Sequence, residues 1–206
     1  MEKFGIAGYG GRGKLIGGKL VDLGYEVLGV YDSNPAQLGD APFRTFTDLD
    51  SLLKLDINAV VIATWPSSHA TIGERALECG FDVFVEKPMG GTAAQTLRIV
   101  EAQRRTGRLA VAGYVERVNP AIMKLREVAD LTQVVRSREI RIGLKPTFSD
   151  GSGVLLDLGS HGIDMVHHLF HAEPTVRSAS LTIEREGDLE YECVIELDCG
   201  KTRSHV

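Results

Sequence analysis

The fold of this chain is decided by residues 3–13, which read KFGIAGYGGRG. The pattern predicts a strand over Lys3–Gly8, followed by glycines spaced as G-x-G-x-x-G. In such a turn Gly8 allows the sharp reversal, Gly10 leaves room for a pyrophosphate, and Gly13 lets the next helix pack closely on the strand. The stretch therefore predicts a dinucleotide-binding turn at the start of an α/β domain.

A helix is predicted directly after this turn, over Arg12–Leu23. The first N–H groups of a helix have no partner within the helix, and its dipole favours a negative charge at that end. Gly11 and Arg12 stand at this end, so we expect both to contribute to the phosphate site. Glycine-rich loops are common, and it is the order strand, turn, helix that strengthens the interpretation.

An acid follows the second predicted strand, Glu26–Tyr31. Asp32 lies about 20 residues beyond the glycines, where a carboxylate hydrogen-bonds the adenosine ribose hydroxyls. The alternative is a plain turn, since Asp32–Pro35 is typical turn sequence. No Lys or Arg follows Asp32 before Arg44, so no basic residue is placed to hold a 2′-phosphate. NAD is therefore favoured over NADP as the cofactor.

The rest of the first half alternates strand and helix patterns. Asn58–Thr64 is a near-continuous apolar run, typical of a parallel strand buried on both faces. The other predicted strands are Phe43–Phe46, Asp82–Glu86 and Leu109–Tyr114, and the helices are one opened by Thr47 or Asp48, then Ser68–Cys79 and Thr92–Thr106. This alternation predicts a doubly wound parallel sheet of the Rossmann type over residues 1–115.

The pattern changes in residues 116–206, which we predict to form a smaller α+β domain. Its sheet is expected to be open, incomplete and mostly antiparallel. The predicted helices are Pro120–Ala129 and Leu155–Phe170, the strands Val134–Leu144, Thr175–Glu184 and Leu189–Leu197, and the loops Ser149–Gly153 and Glu186–Asp188.

Composition narrows the classes of protein. The net charge of -5 gives no electrostatic reason to expect a nucleic-acid partner. A content of 43% hydrophobic and 25% charged residues is ordinary for a globular chain. No apolar run approaches the roughly 20 residues that span a bilayer, and no signal-peptide pattern opens the chain, so we expect no membrane partner and a cytoplasmic location. The three cysteines form no C-x-x-C pair, which favours inert thiols over a metal site.

Several segments together resemble the glucose–fructose oxidoreductase / inositol dehydrogenase (Gfo/Idh/MocA) family. They are GYGGRG at 8–13, TWPSSH at 64–69, EKP at 86–88, GYVERVNP at 113–120 and GVLLDLGSHGID at 153–164. The resemblance spans about residues 1–172. It implies an NAD(P)-dependent dehydrogenase that transfers a hydride between the nicotinamide and a hydroxyl of a sugar, polyol or sugar derivative.

The resemblance assigns the chemistry first to Lys87. This residue follows a predicted parallel strand, at the end where open α/β sheets bind ligands. By resemblance, Lys87 binds the reacting hydroxyl and stabilises its alkoxide-like oxygen, and the bond to Pro88 is a candidate for the cis form. The alternative for Lys87 is a solvated surface charge.

A second set of candidates lies in the segment 153–164. Asp157, His161 and Asp164 fall at i, i+4 and i+7 and share one face if the segment is helical. We assign His161 as the general base or acid, Asp157 as a residue that orients it or binds a substrate hydroxyl, and Asp164 as structural support. Two alternatives stay open: a buried core histidine, and a metal site. The metal ligands would be His161, Asp164, His167, His168 and His171, but the resemblance supplies no metal and we expect none.

The remaining candidates line the cofactor or the substrate. Arg117 and Asn119 either touch the substrate or cap the helix that begins at Pro120. Trp65 stands where the family usually has a small residue, which would narrow the pocket. The predicted cofactor contacts around the nicotinamide are Thr64, Trp65, Pro66, His69 and Glu86, together with Lys87.

The chain is short for this family, so it is either a compact member completed by oligomerisation or a truncated product. We expect a homodimer or larger homo-oligomer through the second-domain sheet. The two helices of this domain cover one face of the sheet, whereas apolar side chains are expected on both faces, so the uncovered face would pair with a second copy. A non-catalytic NAD-binding regulatory protein, or an inactive homologue, is the alternative function. Lys87, Asp157 and His161 together favour catalysis, since a sensor needs only the glycine turn and Asp32.

Overall fold

The computed structural model describes residues 1–134, 136–138, 140, 153–171, 173–183, 192–199 and 202–205. The chain divides into two compact units, Met1–Gly113 and Tyr114–Val206, called here the first and second unit. Their boundary lies two residues before the end of the predicted first domain at residue 115. Among the helices of the described residues, none is both long enough and apolar enough to cross a membrane.

The first unit is built on a parallel six-stranded sheet, as predicted. Its strands are β1 (Lys3–Ala7), β2 (Glu26–Tyr31), β3 (Thr45–Phe46), β4 (Ala59–Ile62), β5 (Asp82–Val85) and β6 (Ala110–Ala112). Its α-helices are α1 (Gly11–Asp22), α2 (Leu49–Leu52), α3 (Pro66–Glu78) and α4 (Ala93–Thr106). The strand order is β3-β2-β1-β4-β5-β6, so the chain order reverses between β1 and β4. Open α/β sheets bind ligands at such a reversal, beyond the carboxyl ends of the strands.

The central strand β4 explains why this sheet is buried on both faces. Successive residues of a strand point to opposite faces, and Val60 and Ile62 enter one core cluster while Val61 enters another. Val60 and Ile62 are fully buried and pack with Leu77 of α3 and Ile99 of α4. Each such aliphatic side chain contributes about 1.5–3 kcal/mol when it leaves water. The apolar run in the sequence is therefore a two-sided core strand.

Helix ends in the first unit follow local sequence signals. The carboxylate of Asp48 accepts hydrogen bonds from the backbone N–H groups of Asp50 and Ser51, both at 3.1 Å, so Asp48 rather than Thr47 caps α2. Gly80 and Gly107 follow α3 and α4 with φ angles of 89° and 68°, the left-handed conformation that ends helices. These ends set the directions in which α3 and α4 return to the sheet.

The described residues of the second unit form two α-helices and a four-stranded sheet. The helices are α5 (Pro120–Val128) and α6 (Ser160–Phe170), and the strands are β7 (Arg136–Arg138), β8 (Thr175–Thr182), β9 (Glu192–Cys199) and β10 (Thr202–His205). In the order β7-β10-β9-β8, only the pair β7–β10 is parallel. The predicted loops at 149–152 and 186–188, and the remainder of the predicted strands at 135, 139, 141–144, 184 and 189–191, lie outside the described residues.

The distribution of apolar residues over this sheet differs from the prediction. On β9, Ile195 and Leu197 are buried against α6, and their partners across the register on β8 are Ala179 and Val176. Directly paired residues share a face, so Val176, although 66% exposed, lies on the helix side of the sheet. The opposite face of β9 carries three acids, Glu192, Glu196 and Asp198, and one apolar residue, Val194, which is exposed. The described part of this face is therefore mainly polar, not apolar as predicted, and apart from Val194 the exposed apolar residues of β8 and β9 are Val176 and Leu181 of β8.

Candidate functional site

The glycine turn requires glycine at two positions because backbone lies against it. Gly8 has a φ angle of +92°, and a Cβ there would lie 2.6 Å from the backbone of Ala63 and Thr64. A Cβ on Gly13 would lie 1.9 Å from the carbonyl oxygen of Gly8. The turn after β1 is thus pressed against the segment after β4 on one side and against α1 on the other.

Gly10 and Gly11 face open space instead. A Cβ built on either glycine would meet no atom of the chain within 4 Å. Gly10 is the N-cap of α1 and provides no side chain to bond the free N–H groups of the first turn. A side chain here would fill the room above those N–H groups, which is the place a pyrophosphate takes in a dinucleotide-binding turn. The residues present therefore fit the phosphates of NAD.

Asp32 ties this turn to the end of β2. One carboxylate oxygen accepts a hydrogen bond from the N–H of Tyr9 at 2.8 Å, and the other accepts from Asn34 at 2.9 Å. The turn interpretation and the binding interpretation of Asp32 are thus compatible, because a carboxylate offers about four lone-pair sites and two are used. Arg44, the nearest basic residue along the chain, has its guanidinium 5.0 Å from the ring centre of Phe46.

Arg12 and Glu86, both predicted to contact the cofactor, are paired with each other. Glu86 is 5% exposed, and its Oε1 accepts a hydrogen bond from Nε of Arg12 at 2.7 Å. Its Oε2 accepts from the backbone N–H of Lys87 at 3.3 Å. A buried carboxylate needs such partners because unpaired burial of charge is costly. The pair links the start of α1 to the residue proposed for catalysis.

The segment Thr64–His69 has one exposed and one buried member. Trp65 follows β4 and is 52% exposed. His69 is 1% exposed, and its ring nitrogens lie 2.9 Å from the carbonyl oxygen of Pro88 and 3.0 Å from that of Thr64. The buried ring of His69 therefore contacts the backbone of the segments after β4 and β5. The Lys87–Pro88 bond is cis, as the resemblance implied.

In the second unit, His161 lies beside an aromatic residue that the sequence analysis did not select. The rings of Tyr114 and His161 pack edge to face with their centres 6.0 Å apart. Burial raises the pKa of the Tyr114 phenol, and the nearby charge of Asp164 raises it further, while a hydrogen bond with Ser160 acts in the opposite direction. Tyr114 belongs to the segment GYVERVNP, which also contains Arg117, and this shared segment was the sequence signal that could have identified it.

Arg117 and Asn119 have partners inside the second unit. Arg117 donates two hydrogen bonds to the carboxylate of Asp164, at 2.8 and 2.5 Å, and this bonding raises the pKa of Arg117. This pairing is compatible with the supporting role predicted for Asp164. Asn119 caps α5, because its Oδ1 accepts from the N–H of Ala121 at 3.0 Å. Of the two roles considered for Asn119, the structure contains the cap.

The helix that carries Asp157 and His161 is not α-helical throughout. Leu155–Gly159 forms a π-turn, and the α-helix begins at Ser160. A π-turn closes on i+5, so it rotates the residues before it relative to α-helical spacing. His161 and Asp164 have the α-helical spacing on which the predicted shared face depends, whereas Asp157 lies in the π-turn, and its place on that face stays a prediction. His161 and Asp164 remain within one α-helix.

The histidines at the end of α6 are engaged by an arginine. Arg126 approaches Nε2 of His168 at 3.2 Å and Nε2 of His171 at 3.1 Å. Burial and the charge of Arg126 lower the pKa of His168. Within the described residues, no group of three or more His, Cys, Asp or Glu side chains is arranged to hold a metal ion.

Comparisons with known proteins agree with this fold. The model of the GFO_IDH_MocA oxidoreductase family, which has an NAD-binding Rossmann fold, matches residues 2–114. UDP-N-acetylglucosamine 3-dehydrogenase of Acidithiobacillus ferrooxidans is 31% identical over 175 residues, covering 82% of this chain and 55% of that protein. Inositol 2-dehydrogenase 2 of Saccharopolyspora erythraea is 27% identical over 162 residues, covering 76% of this chain and 45% of that protein.

A solved structure supports the fold independently. The crystal structure of GenD2 from gentamicin A biosynthesis, in complex with NAD, has a TM-score of 0.85 and covers 99% of this chain and 64% of that one, at 20% identity. The chain spans about half the length of the curated relatives it matches, with shares of 55%, 47% and 45% for the first three. With the family match over residues 2–114, the chain belongs to the Gfo/Idh/MocA oxidoreductase family, whose nucleotide-binding domain is an NAD-binding Rossmann fold.

Proposed function

We propose that this chain is an NAD-dependent dehydrogenase that acts on a hydroxyl group of a sugar, polyol or sugar derivative. The observation that carries the proposal is the open surface of Gly10 and Gly11 at the start of α1, next to Asp32. The relatives named a UDP-N-acetylglucosamine 3-dehydrogenase and an inositol 2-dehydrogenase support the class of substrate.

The first unit supplies the cofactor contacts in this proposal. Gly10 and Gly11 receive the pyrophosphate at the helix N-terminus, and Asp32 accepts hydrogen bonds from the adenosine ribose hydroxyls. A 2′-phosphate would meet the Asp32 charge, and this favours NAD over NADP. Arg12 acts mainly through its ion pair with Glu86, which holds the start of α1 to the end of β5. When bound, NAD supplies the nicotinamide carbon that accepts or returns a hydride.

The proposal gives Lys87 and His161 different roles toward the substrate hydroxyl. Lys87 donates a hydrogen bond to the hydroxyl oxygen and stabilises its negative charge while the C–H bond is broken. His161 removes the hydroxyl proton in oxidation and returns it in reduction, since an imidazole exchanges protons near neutral pH. Asp157 binds a second substrate hydroxyl or orients His161.

The edge-to-face contact with Tyr114 restricts the ring of His161 within the second unit. Arg117 is held by Asp164, so it is available to the substrate only through donors outside that ion pair. This leaves Lys87, Asp157 and His161 as the proposed catalytic residues.

The test is a screen of sugars, inositols and nucleotide sugars with NAD, followed by the fluorescence of the reduced nicotinamide. We expect one class to be oxidised and Lys87→Met or His161→Ala to lower kcat by about 100-fold or more. Lys54→Met, a change at an exposed lysine of the first unit, is the matched control and leaves kcat unchanged. NAD binding without turnover of any substrate would favour the non-catalytic alternative, and a Lys87→Met enzyme with normal kcat would contradict the assigned role.

A further inference from the structure

His69 is a buried side chain to which the proposed chemistry gives no role. It lies on α3 and is 1% exposed. Its Nδ1 lies 2.9 Å from the carbonyl oxygen of Pro88, and its Nε2 lies 3.0 Å from the carbonyl oxygen of Thr64. The ring thus bridges two segments that follow the neighbouring strands β4 and β5.

Both partners of the ring are hydrogen-bond acceptors, so the imidazole must be the donor in each bond. A carbonyl oxygen only accepts, so each ring nitrogen must carry a proton to form its bond. A neutral imidazole donates to one carbonyl, and the doubly protonated ring donates to both. At a site this dry, a donor or acceptor left without its bond is costly, so the ring holds the two carbonyls at a set separation.

Both segments that the ring joins carry residues of the proposed site. Thr64 precedes Trp65, and its backbone N lies 2.6 Å from the place of a Cβ on Gly8. Pro88 follows Lys87, whose other neighbour Glu86 is anchored to Arg12. Lys87 therefore stands between two fixed points, and His69 supplies one of them.

We propose that His69 is a positioning residue that sets the distance between the Thr64 and Pro88 segments and thereby places Trp65 and Lys87 around the nicotinamide. The inference rests on the proposed NAD site. It assigns His69 an effect on the nicotinamide half of the cofactor and none of its own on the adenosine half, which the glycine turn and Asp32 hold.

Three substitutions separate the two hydrogen bonds. The amide nitrogen of His69→Asn stands in for Nδ1 and keeps the bond to Pro88, while that of His69→Gln stands in for Nε2 and keeps the bond to Thr64. His69→Phe fills the same space and makes neither bond. Ile72→Ala is the matched control, because Ile72 lies on the same helix, is 6% exposed and belongs to the core cluster that contains Val60 and Ile62.

The experiment is calorimetric titration of the full chain with NAD and with ADP-ribose, which lacks the nicotinamide. We expect His69→Phe to weaken NAD about tenfold relative to ADP-ribose, which corresponds to about 1.4 kcal/mol. His69→Asn and His69→Gln shift this ratio less, since each keeps one bond. Ile72→Ala lowers the melting temperature and leaves the ratio unchanged, so destabilisation of α3 alone does not reproduce the effect.

An unchanged ratio in His69→Phe would overturn the inference while NAD binding itself stands. Should the Phe variant fail to fold, wild-type ratios in both the Asn and Gln variants would overturn it equally. Equal affinity of the wild-type chain for NAD and ADP-ribose would also do so, because no nicotinamide contact would then exist. A wild-type chain that binds neither ligand would instead remove the proposed function on which the inference rests.

Discussion

Gly13→Ala tests whether the close approach of α1 to the glycine turn holds the first unit together. The added Cβ would lie 1.9 Å from the carbonyl oxygen of Gly8, about 1.5 Å short of the 3.4 Å where ordinary contact begins. A backbone oxygen cannot rotate away as a side chain can, so α1 must shift. Overpacking of this kind costs about 1–3 kcal/mol, and the better helix propensity of Ala returns up to about 1 kcal/mol. A contact of 1.9 Å belongs at the upper end of that cost, about 3 kcal/mol, so we expect the free energy of unfolding to fall by a net of about 2 kcal/mol.

Gly18→Ala is the matched control on the same helix. A Cβ on Gly18 would meet no atom of the chain within 4 Å, so only the gain in helix propensity remains. We expect the free energy of unfolding to rise by up to about 1 kcal/mol. The assay is urea unfolding followed by fluorescence of Trp65, the one tryptophan of the sequence, which reports on the first unit.

The two variants should therefore move the urea midpoint in opposite directions. Equal midpoints for Gly13→Ala and wild type, alongside the expected rise for Gly18→Ala, would refute the close contact. The glycine at 13 would then have no steric reason, and the packing of α1 on β1 would be looser than the structure has it.

Three further outcomes follow from the described residues. Trp65, 52% exposed after β4, should lose fluorescence on binding NAD and much less on binding ADP-ribose; equal quenching would place it away from the nicotinamide. Since burial lowers the pKa of His168, this side chain binds fewer protons in the folded chain than in the unfolded one, and it lowers stability as the pH drops below its ordinary pKa of 6.5. His168→Gln should flatten this part of the pH dependence in urea titrations followed by circular dichroism. The homodimer expected from the sequence is now placed on the exposed apolar residues of β8 instead of the far face of the sheet. It should be seen by light scattering and should dissociate with Val176→Arg, and a clean monomer at micromolar concentration would exclude it.

The first unit was predictable because its signals are local and mutually consistent. The glycine spacing specifies the turn, and the run at Asn58–Thr64 specifies a strand buried on both faces. The sequence also placed Asp48 and Gly80 at helix ends, although it left the choice between Thr47 and Asp48 open. The carboxylate of Asp48 decides it by accepting two backbone hydrogen bonds.

The second unit was less predictable because its features depend on contacts between distant residues. Strand β10 has the sequence TRSH, with no apolar alternation, and is stabilised by pairing with β9 and β7. The π-turn at Leu155–Gly159 has no sequence signature of the kind that marks a cap or a turn. The sequence therefore predicted the helix around His161 but not the change of helix type before it.

The candidate site shows the same division. Gly8, Gly10, Gly13 and Asp32 lie together because one motif contains them. Pairings between motifs, such as Arg12 with Glu86, depend on strand order and on the rotamers of long side chains, which sequence spacing does not specify. His69 is the clearest example: its position in TWPSSH predicted a cofactor contact, and spacing gave no sign that both ring nitrogens face backbone carbonyl oxygens.

The central claim, that the glycine turn and Asp32 of this chain hold NAD, is tested most directly by calorimetric titration with NAD and NADP of wild type and Gly10→Ala. A Cβ at Gly10 meets no atom of the chain within 4 Å and the residue has a φ of −72°, so the variant folds as wild type and only the space for the pyrophosphate is lost. We predict one NAD per chain, weaker NADP, and a loss of about tenfold or more in NAD affinity for Gly10→Ala. Undiminished NAD affinity in Gly10→Ala, or no binding by wild type, would contradict the account.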